Sequence, residues 1–187
     1  MRTALFRVVG LAALAAAPAA SAQQQVAATA TATLSPIQTE ILGSYNDAVD
    51  RIVRLAEAIP EEKYGWRPAQ GVRSIGEIVA HVAGGNYYVL TMAGVAWPAG
   101  VPQDMEKSMT TKADLMRALR QSVEHVRRTM RMMTPADLDK PATLFGRATT
   151  TRDVLLATAM HPHEHLGQLI AYARSNGVTP PWSMAGQ

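Results

Sequence analysis

Four long stretches of this chain repeat apolar residues at 3.6-residue spacing, and none alternates apolar with polar residues as a half-buried strand does. A chain patterned this way is predicted to pack as helices. In residues 36–59, Ile37, Ile41, Tyr45, Val49, Ile52, Leu55, Ala56 and Ile59 share one face, while Glu40, Asp47, Asp50, Arg51, Arg54 and Glu57 fill the other. Ser35 is placed to cap this helix, and Pro36 takes the first helical position, where its missing N–H costs nothing.

After a polar turn, Ser74-Ile75-Gly76-Glu77 has capping-box spacing and opens a second helix with Ile75, Ile78, Val79, Val82 and Val89 on its core stripe. Gly84-Gly85 inside it costs about 1 kcal/mol per glycine relative to alanine, so the pair either admits a close neighbour or marks a weak point. Residues 95–110 carry proline and glycine and read as a loop long enough to lie over something. A third helix follows, opened by Thr110 or Thr111 and ending near Met133. Its outer face carries Arg117, Arg120, Arg127, Arg128 and Arg131, with Glu124 as the one acid among them. That stripe is read as a solvated face rather than an anion or membrane contact. Thr134-Pro135 stops the helix, and a connection runs to about Thr150. The last helix spans residues 151–176, with Gly177 and Pro180-Pro181 beyond it. The predicted fold is all-α, an up-down four-helix bundle over residues 35–182 with a short tail at 183–187.

The full chain has 187 residues, a one-domain length. With 48% apolar and 18% charged residues, a disordered, collagenous or coiled-coil class is excluded. Arg2 and Arg7, the apolar residues 8–17 and the small residues Ala20-Ser21-Ala22 read as a cleavable signal peptide over residues 1–22, with a retained anchor as the alternative. Residues 23–34 then form a mobile leader, and the protein is expected to be exported, periplasmic or secreted. Two of the 18 basic residues fall in the signal, which leaves a near-even balance against 15 acidic ones. No clustered positive excess remains for nucleic acid, and no later segment is apolar enough to span a bilayer. The sequence contains no cysteine, so stability rests on packing and any metal must be held by nitrogen and oxygen ligands.

Three of the five histidines fall in His161-Pro162-His163-Glu164-His165. On a helix, His161 and His165 lie one turn apart on the face of Val154, Thr158, Gln168 and Tyr172, while His163 points away. Such a pair can present two imidazoles to one metal ion, and a third from another helix would complete a three-histidine site. His81 is the better third candidate and His125 the weaker. The same spacing also arises by chance, and a lone histidine is ordinarily a hydrogen-bonded residue of the fold. Pro162 removes one helical hydrogen bond and disfavours helical geometry at His161. Either the helix kinks and keeps both histidines inward, the favoured outcome, or it breaks and displaces His161.

Three elements together resemble the DinB-like superfamily of four-helix bundles. They are Trp66-Arg67-Pro68 with the run from Arg73 to His81, then His161-Pro162-His163-Glu164-His165-Leu166-Gly167-Gln168-Leu169, then Tyr172-Ala173-Arg174-Ser175-Asn176-Gly177 leading into Pro180-Pro181. The resemblance implies a divalent metal, zinc or nickel, held by His81, His161 and His165. It also implies the activities known among relatives: thiol S-transfer or isomerisation with a low-molecular-weight thiol, and metal-dependent hydrolysis. Gln168 and Tyr172 could orient a ligand or serve as supporting hydrogen-bond partners, and Glu164 could act only if a kink rotates it inward. Trp66 and Trp97 could wall a pocket. Export disfavours cytosolic thiols as cosubstrates. The expectation is therefore a metal-dependent hydrolase or thiol S-transferase acting on a small molecule. The alternatives are a non-catalytic metal- or ligand-binding module of the cell envelope and a bundle whose histidines are incidental. The resemblance also implies a homodimer through an exposed helix face, which nothing in the sequence requires.

Overall fold

The computed structural model describes residues 34–183. The expected signal peptide, the leader up to residue 33 and the tail from residue 184 lie outside the described residues. Four long helices carry the fold: α1 (Pro36–Ala58), α2 (Ile75–Thr91), α4 (Lys112–Met132) and α5 (Thr151–Ser175); α3 (Met105–Ser108) is a single turn.

Local chemistry sets where the helices start. Ser35 and Gln38 form a reciprocal capping box with Pro36 at the first position of α1, and Ser74 and Glu77 do the same for α2. The Ser74 amide donates to the Glu77 carboxylate at 2.7 Å, and this bond holds the Glu77 carboxyl below its usual range. Thr111, rather than Thr110, caps α4 by accepting from the Asp114 amide. These bonds satisfy amide donors that a helix start leaves free.

α1 packs on α5 and α4, and α2 packs on α4 and α5. The apolar stripes meet between them: Tyr45, Ile52, Leu55, Ile78, Leu119 and Leu155 are all buried. Each such side chain contributes about 1.5–3 kcal/mol on leaving water, which is how a chain without disulfides holds together.

Three expectations are corrected. Residues 134–150 are more than a connection: a turn at Pro135–Asp139 leads into a hairpin of β1 (Pro141–Leu144) and β2 (Arg147–Thr150). Pro141 pairs with Thr150 and Leu144 with Arg147, leaving Phe145-Gly146 as a two-residue loop. Both loop residues have positive φ, 49° and 83°, as a type I′ turn requires. Four-residue strands are too short to register as alternation. The 95–110 loop, second, contains α3, which packs against α2.

The arginine face, third, is relieved by more than Glu124. Arg117 pairs with Asp114, Arg120 with Glu57, and Arg127 with both Asp50 and Glu124 at 2.7 Å. Two of these acids come from α1, a neighbour that the arginine stripe does not reveal. Among the described residues, no helix is long and apolar enough to cross a membrane.

Candidate metal centre

α5 runs unbroken through Pro162, whose ring is buried, so the helix does not break there. Pro162 cannot donate to the Thr158 carbonyl; the remainder of the turn holds, and the Thr158 hydroxyl bonds back to the Val154 carbonyl at 2.8 Å. His161 and His165 consequently keep one-turn spacing, with ring centroids 4.6 Å apart.

His81 of α2 meets both. Its ring centroid lies 5.1 Å from that of His161 and 4.7 Å from that of His165. One nitrogen from each of the three rings falls within 4.8 Å of the others, so the three could hold one metal ion. His165 is buried and the other two half-buried. The close approach depends on Gly85, where a Cβ would stand 2.4 Å from His161 Cε1. Of the two readings of the glycine pair, close approach therefore holds at Gly85. At Gly84 a Cβ would meet nothing within 4 Å.

Hydrogen bonds fix the tautomers of two rings. His81 Nδ1 lies 2.8 Å from the Glu106 carboxylate, which accepts and so places the proton on Nδ1 and the lone pair on Nε2. Glu106 is itself gripped by Arg73 Nε at 2.9 Å. Burial pushes the Glu106 carboxyl up, but the hydrogen bonds from Arg73 and His81 outweigh it and hold the group ionised below its usual range. His165 Nδ1 donates to Gln168 Oε1 at 3.0 Å, and Gln168 Nε2 donates to the Tyr172 hydroxyl at 3.2 Å. Trp66 braces that hydroxyl's ring edge-on at 5.2 Å. Such partners orient a ligand ring and raise its basicity.

His161 Nε2 faces His81 Nε2 at 3.2 Å. Two imidazoles on one tetrahedral zinc, with bonds of about 2.0–2.1 Å, place their nitrogens roughly 3.3 Å apart. The His81–His161 pair thus has the spacing of two ligands on one small divalent ion, and His165 offers a third nitrogen within 4.8 Å of both. Burial, with the neighbouring His165, His81 and Arg73, pushes the His161 imidazole down to about 4, and burial likewise lowers His81. Both are neutral at pH 7, as metal ligands must be.

Glu164 is exposed and outside the cluster; the carboxylate at the site is Glu106, delivered by α3, which the sequence reading missed. No local pattern marks it, since its partner lies 25 residues away; only the habit of metal-binding histidines to hold a carboxylate on the second nitrogen points to such a residue. Gln168 supports His165 by a direct hydrogen bond, and Tyr172 supports Gln168. His163 is exposed and bonds Ser44 of α1, and His125 packs at a tilt against Tyr87, ring centroids 5.0 Å apart, away from the cluster. A cavity of about 740 Å³ opens beside His81, bordered by Gly84, Gly85, Tyr88, Trp97 and Met105. Trp97 is thus a wall of the cavity, and Trp66 is not.

Residues 45–169 match the family model described as the DinB superfamily, and all three histidines lie within that span. The chain belongs to the DinB superfamily. It is 28% identical over 128 residues to the uncharacterized protein YjoA of Bacillus subtilis (strain 168), a match covering 67% of this chain and 81% of YjoA. Two solved structures share the fold. A DinB-like protein from Bacillus cereus ATCC 10987 superposes with a TM-score of 0.67 at 20% identity, over 75% of this chain and 93% of that one. The DinB-like structure of Bacillus subtilis YjoA gives 0.59 at 23% identity, over the same shares. The DinB-superfamily fold thus brings together the three histidines that spacing and resemblance singled out.

Proposed function

We propose that this DinB-superfamily protein is an up-down four-helix bundle that binds one divalent metal, zinc or nickel, through His81, His161 and His165. The observation that carries the reading is the convergence of three imidazole nitrogens, one of them on a ring that borders a cavity large enough for a small molecule. A nitrogen-only donor set suits both metals. Glu106 and Gln168 hold the Nδ1 protons of His81 and His165, aiming their lone pairs inward, and Arg73 fixes Glu106. An ion bound there with an open position would lower the pKa of a water or thiol.

The activity proposed is hydrolysis of a small molecule or transfer of a thiol to one. Hydrolysis is favoured because the signal-like residues 1–22 support export, away from the cytosolic thiol pool. A second reading, a non-catalytic metal-binding module of the cell envelope, draws on one feature: of the three histidines, His81 alone borders the cavity.

Cobalt(II)-loaded protein separates the two. A catalytic site gives visible bands that shift when azide or a small thiol is added. Bands indifferent to both contradict an open position and leave the non-catalytic reading.

A further inference from the structure

Gly84 and Gly85 are neighbours in α2, yet only one of them has a packing reason to be glycine. A Cβ on Gly85 would drive into His161, whereas a Cβ on Gly84 would meet nothing within 4 Å. Gly84 does not need a positive φ either. Alanine there would strengthen the helix. Gly43 and Gly167 are equally unobstructed, but they face solvent, while Gly84 is half-buried and borders the cavity.

The neighbours of Gly84 on its own helix form a row. His81, Gly84, Gly85 and Tyr88 share a face at helical spacing, with the candidate ligand at one end and an aromatic ring, 54% exposed, at the other. The row is about 10 Å long at the helical rise. Trp97 and Met105 also line the cavity, together with the polar residues Gln103, Asp104, Glu106 and Lys107. The Trp97 indole N–H is already bonded to the Val101 carbonyl at 2.9 Å, which leaves its ring as an apolar wall.

We propose that the bare backbone at Gly84 is a seat for a flat, aromatic or otherwise apolar body. The class of ligand is a small molecule with such a body at one end and a metal-directed polar group at the other. The body lies between Tyr88, Trp97 and Met105, and the polar group reaches the ion beside His81. This rests on the metal reading above and adds to it the shape of the molecule and the residue that makes room for it.

The test uses two metal-directed probes that differ only in the body, benzohydroxamate and acetohydroxamate, titrated by calorimetry into zinc-loaded protein. Benzohydroxamate is expected to bind about tenfold more tightly, as burial of a phenyl group implies. In Gly84→Leu and Tyr88→Ala that preference is expected to fall below about threefold on the same scale, with zinc still at one per chain. Gly84→Ala is expected to raise the melting temperature by roughly 2–4 °C while weakening benzohydroxamate more than acetohydroxamate. Zinc at one per chain with equal affinities for the two probes, or a preference that survives Gly84→Leu, overturns the aromatic seat alone. A parent protein that takes up no zinc overturns the metal reading, and the seat with it.

Discussion

Glu106 Oε1 stands 2.8 Å from His81 Nδ1, joining α3 to α2 across 25 residues of chain, while Glu106 Oε2 holds Arg73 at 2.9 Å. The carboxylate thereby fixes which imidazole nitrogen faces His161 and His165, and it ties the segment over the cavity to the cluster. Removing it frees the His81 ring without touching a ligand. Glu106→Ala is expected to lower zinc affinity by about 10–100-fold, with Glu106→Gln between it and the parent. Competition against a chromogenic chelator measures this, and unchanged affinity in Glu106→Ala would remove the carboxylate from the site.

Gly85 tests the geometry from the other side. A methyl at this position collides with His161 Cε1 at 2.4 Å, so the ring or α2 must move. Gly85→Ala is expected to weaken zinc binding by about tenfold or more, because sites tolerate displacements of only about 0.5 Å. The melting temperature of the metal-free protein should fall as well. Intact binding would mean that His161 has room that the packing denies.

The hairpin makes a prediction about stability alone. Phe145 has a φ of 49° and is 68% exposed, so it bears left-handed strain with little packing in return. Phe145→Asn is expected to stabilise the protein by about 0.5–1 kcal/mol. Gly146→Ala, at a φ of 83°, should destabilise it. Chemical denaturation curves would register both, and a stabilised Gly146→Ala would contradict the turn type.

Acid should weaken the metal-free fold through His161. Burial holds its imidazole at about 4, below the ordinary 6.5. The folded chain binds fewer protons than the unfolded chain between those values, so stability declines as the pH falls from about 6.5 toward 4. The lowered His81 acts in the same direction. Urea midpoints of metal-free protein should fall across this window, and those of His161→Gln should fall less. Equal slopes would show that His161 titrates normally.

The sequence was most legible where structure is local. Ser35-Gln38 and Ser74-Glu77 bond within three residues, and the stripes through Ile52, Leu119 and Leu155 repeat with the helix itself. His161 and His165 sit at a spacing that α5 preserves through Pro162, since one missing hydrogen bond does not outweigh the packing of the buried ring and its neighbours. Glu106 was not legible, because its partner is set by how a loop folds back over α2. Nor were the ion pairs of Arg120 with Glu57 and Arg127 with Asp50, which depend on which helix lies beside α4. The β1–β2 hairpin escaped notice because Phe145 stands where the turn favours asparagine or glycine.

Metal content tests the three-histidine site most directly. Untagged protein, incubated with zinc or nickel and freed of excess, would be compared by elemental mass spectrometry with the variant carrying His81→Ala, His161→Ala and His165→Ala. About one ion per chain in the parent and none in the variant is the expected result. No ion in the parent, or equal loading of the two proteins, would contradict it.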